Sequence, residues 1–275
     1  MPSRPAEPGK REQARPTTSI SPVIDELSLD GRRLTITSVG EGPPLVALPG
    51  GPGFPGDQVR DLGGLAAMRT LLRPDWRGAG ASDPPPDGRH GLDDYVADLA
   101  RVQEHIGLDV IDLLGHSFGG MVAVRYAATY PERISRLILD ATPDVPGDGR
   151  APAGGMAGYF ANWDDRAQGY LESVMPSLYE PAGEWFEEHE FAVADVRPDL
   201  ARIRAQTLVV TGDADWAVGP ARARAMADVI ADAQVAVIPG AGHFSWVENP
   251  AAYAATVGAF LERTDAGSES GAPGM

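Results

Sequence analysis

The chain has 275 residues, 43% of them hydrophobic, which is enough to bury one sizeable core. It contains no cysteine, so disulfides, thiolate metal sites and a cysteine nucleophile are excluded. Its net charge of −16 disfavours nucleic acid, whose phosphates it would repel, and no apolar run approaches the ~18 residues needed to cross a membrane.

In chain order, residues 1–19 are rich in Pro, Arg and polar residues and lack an apolar h-region. They read as a disordered tail rather than a secretory signal, which implies a cytoplasmic protein. Strands are predicted at residues 25–29, 33–38 and 44–48, the third running into Pro49-Gly50-Gly51-Pro52-Gly53. A fourth strand at 69–73 leads to Asp75-Trp76-Arg77-Gly78-Ala79-Gly80-Ala81-Ser82, where Asp75 and Arg77 are expected to brace the loop. Residues 92–106 place Tyr95, Leu99, Val102 and Ile106 at helical spacing. A fifth strand at 110–114 is followed by Gly115-His116-Ser117-Phe118-Gly119 and a helix over 118–130, whose Gly119, Gly120, Ala123 and Ala127 allow close packing on a sheet. A sixth strand is predicted at 135–140.

The alternation then breaks between Pro143 and Arg204. The break opens on a Pro- and Gly-rich entry and holds Tyr159, Phe160, Trp163, Tyr170, Tyr179, Trp185, Phe186 and Phe191, eight of the chain's nineteen aromatic residues. Such a segment either roofs an apolar pocket or forms a small core of its own. Trp163, Trp185 and Phe186 are the candidate pocket walls, with Phe244 from the later chain. Strands at 207–211 and 234–238 follow, with a helix from Pro220 to about residue 231 between them. Asn249 caps, and Pro250 starts, a last helix. Residues 264–275 are Gly-, Ser- and Ala-rich and read as a second disordered tail. Strand and helix in alternation give a mostly parallel sheet.

A strand that turns into a helix with a serine between two glycines is a device for exposing one hydroxyl. The serine backbone is strained there, and side chains at positions 115 and 119 would collide with their neighbours. The groups that serine needs follow in order. The seventh strand ends in Thr211-Gly212-Asp213-Ala214-Asp215, and the eighth in Pro239-Gly240-Ala241-Gly242-His243-Phe244. Both loops lie at carboxyl ends of strands, where open α/β sheets place their sites. In this pattern Ser117 attacks, His243 takes and returns the proton, and Asp215 orients the imidazole. The N–H groups of Phe118 and Gly51 would form the oxyanion hole. Asp213 and Asp140 compete with Asp215 for the role of acid. Among the other histidines, His105 reads as surface, His90 as solvent-exposed in a Pro/Gly loop, His189 as surface within the acidic segment, and His116 as a hydrogen-bonded neighbour of the serine. No histidine pair or carboxylate loop has metal-ligand spacing, and no dinucleotide fingerprint is present, so neither a metal nor another cofactor is expected.

From about residue 25 to 263 the chain resembles the α/β-hydrolase superfamily and, within it, the proline iminopeptidase-like branch. Pro49-Gly50-Gly51-Pro52-Gly53 is similar to that branch's His-Gly-Gly-Pro-Gly, with Pro49 replacing the histidine. Asp75 to Ser82 matches its Asp-x-Arg-Gly-x-Gly-x-Ser, Gly212 and Asp215 its Gly-x-x-Asp, and Gly240-Ala241-Gly242-His243 with Glu248-Asn249-Pro250 its histidine loop and helix start. The resemblance implies an eight-stranded, mostly parallel sheet flanked by helices, formed by residues 20–142 and 205–263, with a helical cap at 143–204 after the sixth strand. It also implies that acids of the cap, drawn from Asp164, Asp165, Glu172, Glu180, Glu184, Glu187, Glu188 and Glu190, would bind a substrate ammonium. The expected function is hydrolysis of an ester, amide, lactone or thioester of a small molecule through an acyl-enzyme, with the bond after an N-terminal proline as one option. A lyase or cyclase with His243 as general base, and a slow-turnover receptor, are the alternatives. Oligomeric state and substrate are not legible.

Overall fold

The central strands are continuous apolar runs because both faces of the sheet are covered. In β3 (Pro44–Leu48), Val46 and Leu48 join the core on one face, and Leu45 and Ala47 the core on the other. β5 (Ile111–His116) divides Leu113 from Leu114 in the same way, and β6 (Ile134–Asp140) divides Leu137 and Leu139 from Ile138. β7 (Gln206–Gly212) sends Val209 to the first layer and Leu208 and Val210 to the second. This is the two-residue period of an extended chain with a core on each side.

The computed structural model describes residues 23–29, 31–145 and 152–263. The expected tails at 1–19 and 264–275, and part of the Gly-rich entry after Pro143, lie outside those residues. With β1 (Val23–Leu29), β2 (Arg32–Val39), β4 (Thr70–Pro74) and β8 (Ala233–Ile238), the strands form one sheet in the order β1-β2-β4-β3-β5-β6-β7-β8. The β1–β2 and β2–β4 pairs are antiparallel and all later pairs parallel. Every strand lies within two residues of its predicted bounds.

Helices α1 (Leu92–Ile106) and α2 (Phe118–Thr129) pack on one face, largely through Tyr95, Leu99, Val122 and Tyr126. Between β6 and β7 run a 3₁₀ turn at Gly155–Tyr159, α3 (Asp165–Val174), α4 (Glu180–His189) and α5 (Arg197–Leu200). α6 (Pro220–Ala227) lies with α1 and α2, and ends about a turn earlier than predicted. Two further pieces, the 3₁₀ turn Gly56–Val59 and α7 (Ser245–Glu248), are a turn long and too short for periodicity to predict. α8 (Pro250–Leu261) covers the opposite face with Tyr253, Val257, Phe260 and Leu261. Its start is as read: Asn249 Oδ1 accepts from Ala252 N–H and Pro250 occupies the first turn.

The segment between β6 and β7 is tied to the carboxyl edge of the sheet. Tyr179 N–H donates to Gly53 O at 2.9 Å, Tyr170 Oη to Gln58 O at 3.1 Å, and the Tyr159 carbonyl accepts from His243 N–H at 2.7 Å. The loops after β3 and β8 therefore meet beneath it.

Below that edge a buried ion network joins three elements. Asp98 of α1 accepts from Arg32 Nη2 of β2 at 3.1 Å and from Arg77 Nε at 2.7 Å. All three side chains are less than a tenth exposed. Removing the shared carboxylate would strand the Arg32 guanidinium and leave Arg77 only Asp94 Oδ1 at 3.8 Å as a carboxylate partner. Asp98→Ala should lose about 3–5 kcal/mol of unfolding free energy, measured as a lowered urea midpoint at unchanged slope; a loss under about 1 kcal/mol would contradict the network's role.

Candidate active site

The turn from β5 to α2 puts Ser117 at φ 51° and ψ −119°, in the left-handed region that a side chain rarely adopts. Packing holds it there. Ser117 N–H donates to Asp140 O at 2.9 Å. A Cβ at Gly115 would strike the Gly119 carbonyl, and one at Gly119 the Pro49 carbonyl, so no larger residue fits on either side. The serine is half-exposed at the apex.

His243 stands on the loop after β8 with only 5% of its surface exposed. Its Nδ1 lies 3.1 Å and 3.3 Å from the two carboxylate oxygens of Asp215, which follows β7. Asp215 Oδ1 also accepts the N–H groups of Ala217 at 2.8 Å and Val218 at 3.1 Å. Burial pushes the Asp215 carboxyl up, but the charge and hydrogen bond of His243 and these N–H donors outweigh it, so its pKa lies below the ordinary value. A carboxylate held ionised against Nδ1 fixes the imidazole with Nδ1 protonated and Nε2 free to accept.

Ser117 and His243 line one cavity of about 220 Å³, together with Gly50, Gly51, Phe54, Gln58, His116, Met156, Tyr159 and Phe244. Among the described residues no hydrogen bond joins the two; such bonds are often long in free enzymes and close when substrate binds. The N–H groups of Gly51 and Phe118 donate to no other group among the described residues, whereas Gly50 N–H is committed to Gln58 Oε1 at 2.6 Å. Phe118 opens α2, so its N–H also carries the positive end of the helix dipole.

Of the four expected wall residues, Phe244 alone reaches this cavity. Trp163 packs on Phe160 with 45% of its surface exposed. Trp185 stacks on His189, at 4.5 Å between rings. Phe186 is buried edge-on against Phe118, below the cavity. Tyr159 forms the roof instead, 5.3 Å from the His243 ring. Met156, Phe54 and Gln58 belong to no motif, and nothing in the sequence singles them out.

The other candidates have separate work. Asp213 accepts from Gly240 and Ala241 N–H and so shapes the histidine loop. Asp75 accepts from Gly56 N–H at 2.8 Å and Ala81 N–H at 2.9 Å, which braces its loop as expected. Asp140 pairs with His116 Nδ1 at 3.1 Å, not with His243. Both groups are fully buried. Burial and the charge of Asp215 push the Asp140 carboxyl well up, while burial and the charge of His243 push the His116 imidazole well down. Glu248 accepts three backbone N–H groups, from Gly242, Ala161 and Asn162, and so clamps the histidine loop to the segment above it.

Residues 43–174 match the family model described as the alpha/beta hydrolase fold. The chain is 29% identical over 271 residues to 2-hydroxymuconate semialdehyde hydrolase of Pseudomonas sp. (strain CF600), covering 88% of this chain and 94% of that protein. It is 29% identical over 276 residues to proline iminopeptidase of Lactobacillus helveticus, covering 82% and 92%. Among solved structures, the enol-lactonase from Burkholderia xenovorans LB400 superposes with a TM-score of 0.75 at 24% identity, over 87% of this chain and 100% of that one, a likeness of fold.

His90 departs from the sequence reading. It is 2% exposed rather than solvated, with Nδ1 3.1 Å from Tyr95 Oη and its ring 5.7 Å from Tyr179 of the overlying segment. Burial, then the charge of Arg77, pulls its pKa down from 6.5 to about 4. The folded state therefore holds this histidine neutral where the unfolded chain is already taking up a proton, and stability falls as pH drops from about 6.5 to about 4. The loss attributable to His90 approaches about 3 kcal/mol at the acid end. Chemical denaturation at stepped pH should show it, with His90→Gln flattening the curve in that window; parallel curves for the two proteins would contradict it.

Proposed function

We propose that this chain, which belongs to the α/β-hydrolase superfamily and is an enzyme of that fold, is a serine hydrolase that cleaves a small-molecule acyl bond through an acyl-enzyme. One contact supports this most: His243 Nδ1 on the Asp215 carboxylate, with His243 and the strained Ser117 on the wall of one cavity. Ser117 Oγ attacks the scissile carbonyl while His243 Nε2 takes its proton. The oxyanion that develops is met by the N–H groups of Gly51 and Phe118, an arrangement in which a single donor is worth about 10²–10³ in rate. Collapse expels the leaving group, which receives the proton from His243. Water, activated by the same imidazole, then releases the acid. Residues 143–204 act as a cap that supplies the roof of the cavity and limits substrate size.

The proline iminopeptidase likeness does not extend to substrate in this reading. Asp164, Asp165, Glu172, Glu180, Glu184, Glu187 and Glu188 lie towards solvent, and the half-buried Glu190 accepts the N–H of Leu92. None of these lines the cavity, so among the described residues no cap acid supports recognition of an ammonium.

A fluorophosphonate probe should label Ser117 of the wild type and leave Ser117→Ala unlabelled, read by mass spectrometry. On a panel of short acyl esters, simple lactones and proline amide, Asp215→Asn should lower kcat about 10³–10⁴-fold with little change in KM. Activity retained by Ser117→Ala but lost in His243→Ala would instead support lyase or cyclase chemistry with His243 as base.

A further inference from the structure

The cavity around Ser117 has a small polar inventory. Phe54, Met156, Tyr159 and Phe244 make its walls, and among the described residues no Lys, Arg, Asp or Glu lines it. A charged group moved into such a space loses its hydration without gaining a counter-ion, which costs far more than burying a neutral one. The one side-chain amide among the described lining residues is Gln58, on the 3₁₀ turn Gly56–Val59. It is 1% exposed and held at both ends by its surroundings: its carbonyl O accepts from Tyr170 Oη, and its Oε1 accepts from Gly50 N–H at 2.6 Å. Only an oxygen can accept that N–H, so the amide orientation is fixed and Nε2 points elsewhere. Nε2 has no partner among the described residues, yet it is not one of the polar atoms sealed away from all space. The space that Gln58 borders is the cavity.

We propose that the enzyme's substrate carries a short uncharged acyl group with an oxygen acceptor beyond the scissile carbonyl, and that Gln58 Nε2 donates to that oxygen. This rests on the serine-hydrolase reading of the same cavity. The volume of about 220 Å³ fits a chain of a few atoms, being below the roughly 300–1,000 Å³ of sites for drug-sized ligands. Gln58 has two functions in this arrangement. Its oxygen holds Gly50 and hence the loop that presents Gly51 N–H, while its nitrogen reads the substrate. The substitution Gln58→Glu separates them when assayed above the pH at which the new carboxyl ionises, because the carboxylate then keeps an acceptor for Gly50 N–H and has no donor.

The test uses p-nitrophenyl esters of matched length: hexanoate, its oxygen analogue methoxybutanoate, the half-ester of glutaric acid, and the ester of aminobutyric acid. Wild type should favour methoxybutanoate over hexanoate about 2–10-fold in kcat/KM, the range of one neutral hydrogen bond. Both charged esters should be at least about 100-fold slower. Gln58→Glu should lose the methoxy preference and raise the aminobutyryl ester about tenfold or more, since it places an acid in the cavity. A methoxy preference that survives in Gln58→Glu, or a charged ester that matches hexanoate in wild type, overturns the proposal. Failure of the hydrolase reading is visible separately as absence of fluorophosphonate label on Ser117. In that event, binding of hexanamide and methoxybutanamide to Ser117→Ala, with and without Gln58→Glu, followed by saturation-transfer NMR, judges the pocket by itself: equal affinities overturn it, and a methoxy preference abolished by Gln58→Glu supports it.

Discussion

A serine at φ 51° is the constraint on which the other features of the site depend. Left to itself the residue would relax, since the left-handed region costs a non-glycine residue about 1–3 kcal/mol when strained at a site. Relaxation is blocked from three sides. The Asp140 carbonyl accepts the serine N–H from β6, the Pro49 carbonyl from the β3 loop lies where a Cβ on Gly119 would go, and Thr142 abuts Gly120 from beyond β6. These contacts come from β6 and from the loops that follow β3 and β6, the two parallel neighbours of β5, so the turn is a product of the sheet and not of the pentapeptide alone. The same close approach brings the Gly50-Gly51 loop against the serine and leaves the N–H groups of Gly51 and Phe118 without partners among the described residues.

Most of the architecture is legible in the sequence because periodicity and punctuation agree along the chain. Strands buried on both faces are apolar runs, and α1 and the last helix carry clear spacing and a clear start. The order of Ser117, Asp215 and His243 is legible for a related reason: each follows a strand, and parallel strands deliver their carboxyl ends to one edge. What escapes is whatever depends on how the segment between β6 and β7 is turned. Its aromatic residues are dense, but density does not say which ring points down. Tyr159 does, through the backbone bond from its carbonyl to His243, while Trp163 and Trp185 lie away from the cavity and Phe186 fills the core beneath Phe118. His90 escapes for the same reason. Its Pro- and Gly-rich loop reads as solvated, but Tyr179 of that segment closes over it. Gln58 carries no signal at all, since a lone glutamine has no spacing to read.

Part of the hold on the segment above the sheet runs through backbone groups, which carry no signal in the sequence. Glu248 gathers N–H groups from Gly242, Ala161 and Asn162, and the Tyr159 carbonyl takes the N–H of His243 itself. Burial raises the Glu248 carboxyl, opposed by those three donors. The histidine loop and the roof of the cavity are therefore one hydrogen-bonded unit. Charge-assisted bonds of this kind are roughly twice as strong as neutral ones, so they are the stronger links between the histidine loop and the segment above it.

Two His–Asp pairs lie within one site, and burial sorts them. Their rings are 4.8 Å apart, His116 with Asp140 below and His243 with Asp215 above. Asp215 collects two backbone N–H groups besides its histidine, so its negative charge is stabilised in place. Asp140 has one histidine contact and, across from it, Tyr253 Oη, with its second oxygen short of a formal hydrogen-bond partner among the described residues. Burial disfavours charge on either group, and Asp215, already charged nearby, repels a second carboxylate in the same interior. Burial first, and the upper pair's charge second, drive the lower pair towards its neutral forms. The two acids therefore differ in electrostatic terms: Asp215 is held towards its ionised form against the His243 ring, whereas Asp140 is pushed towards its neutral form against the buried His116 ring.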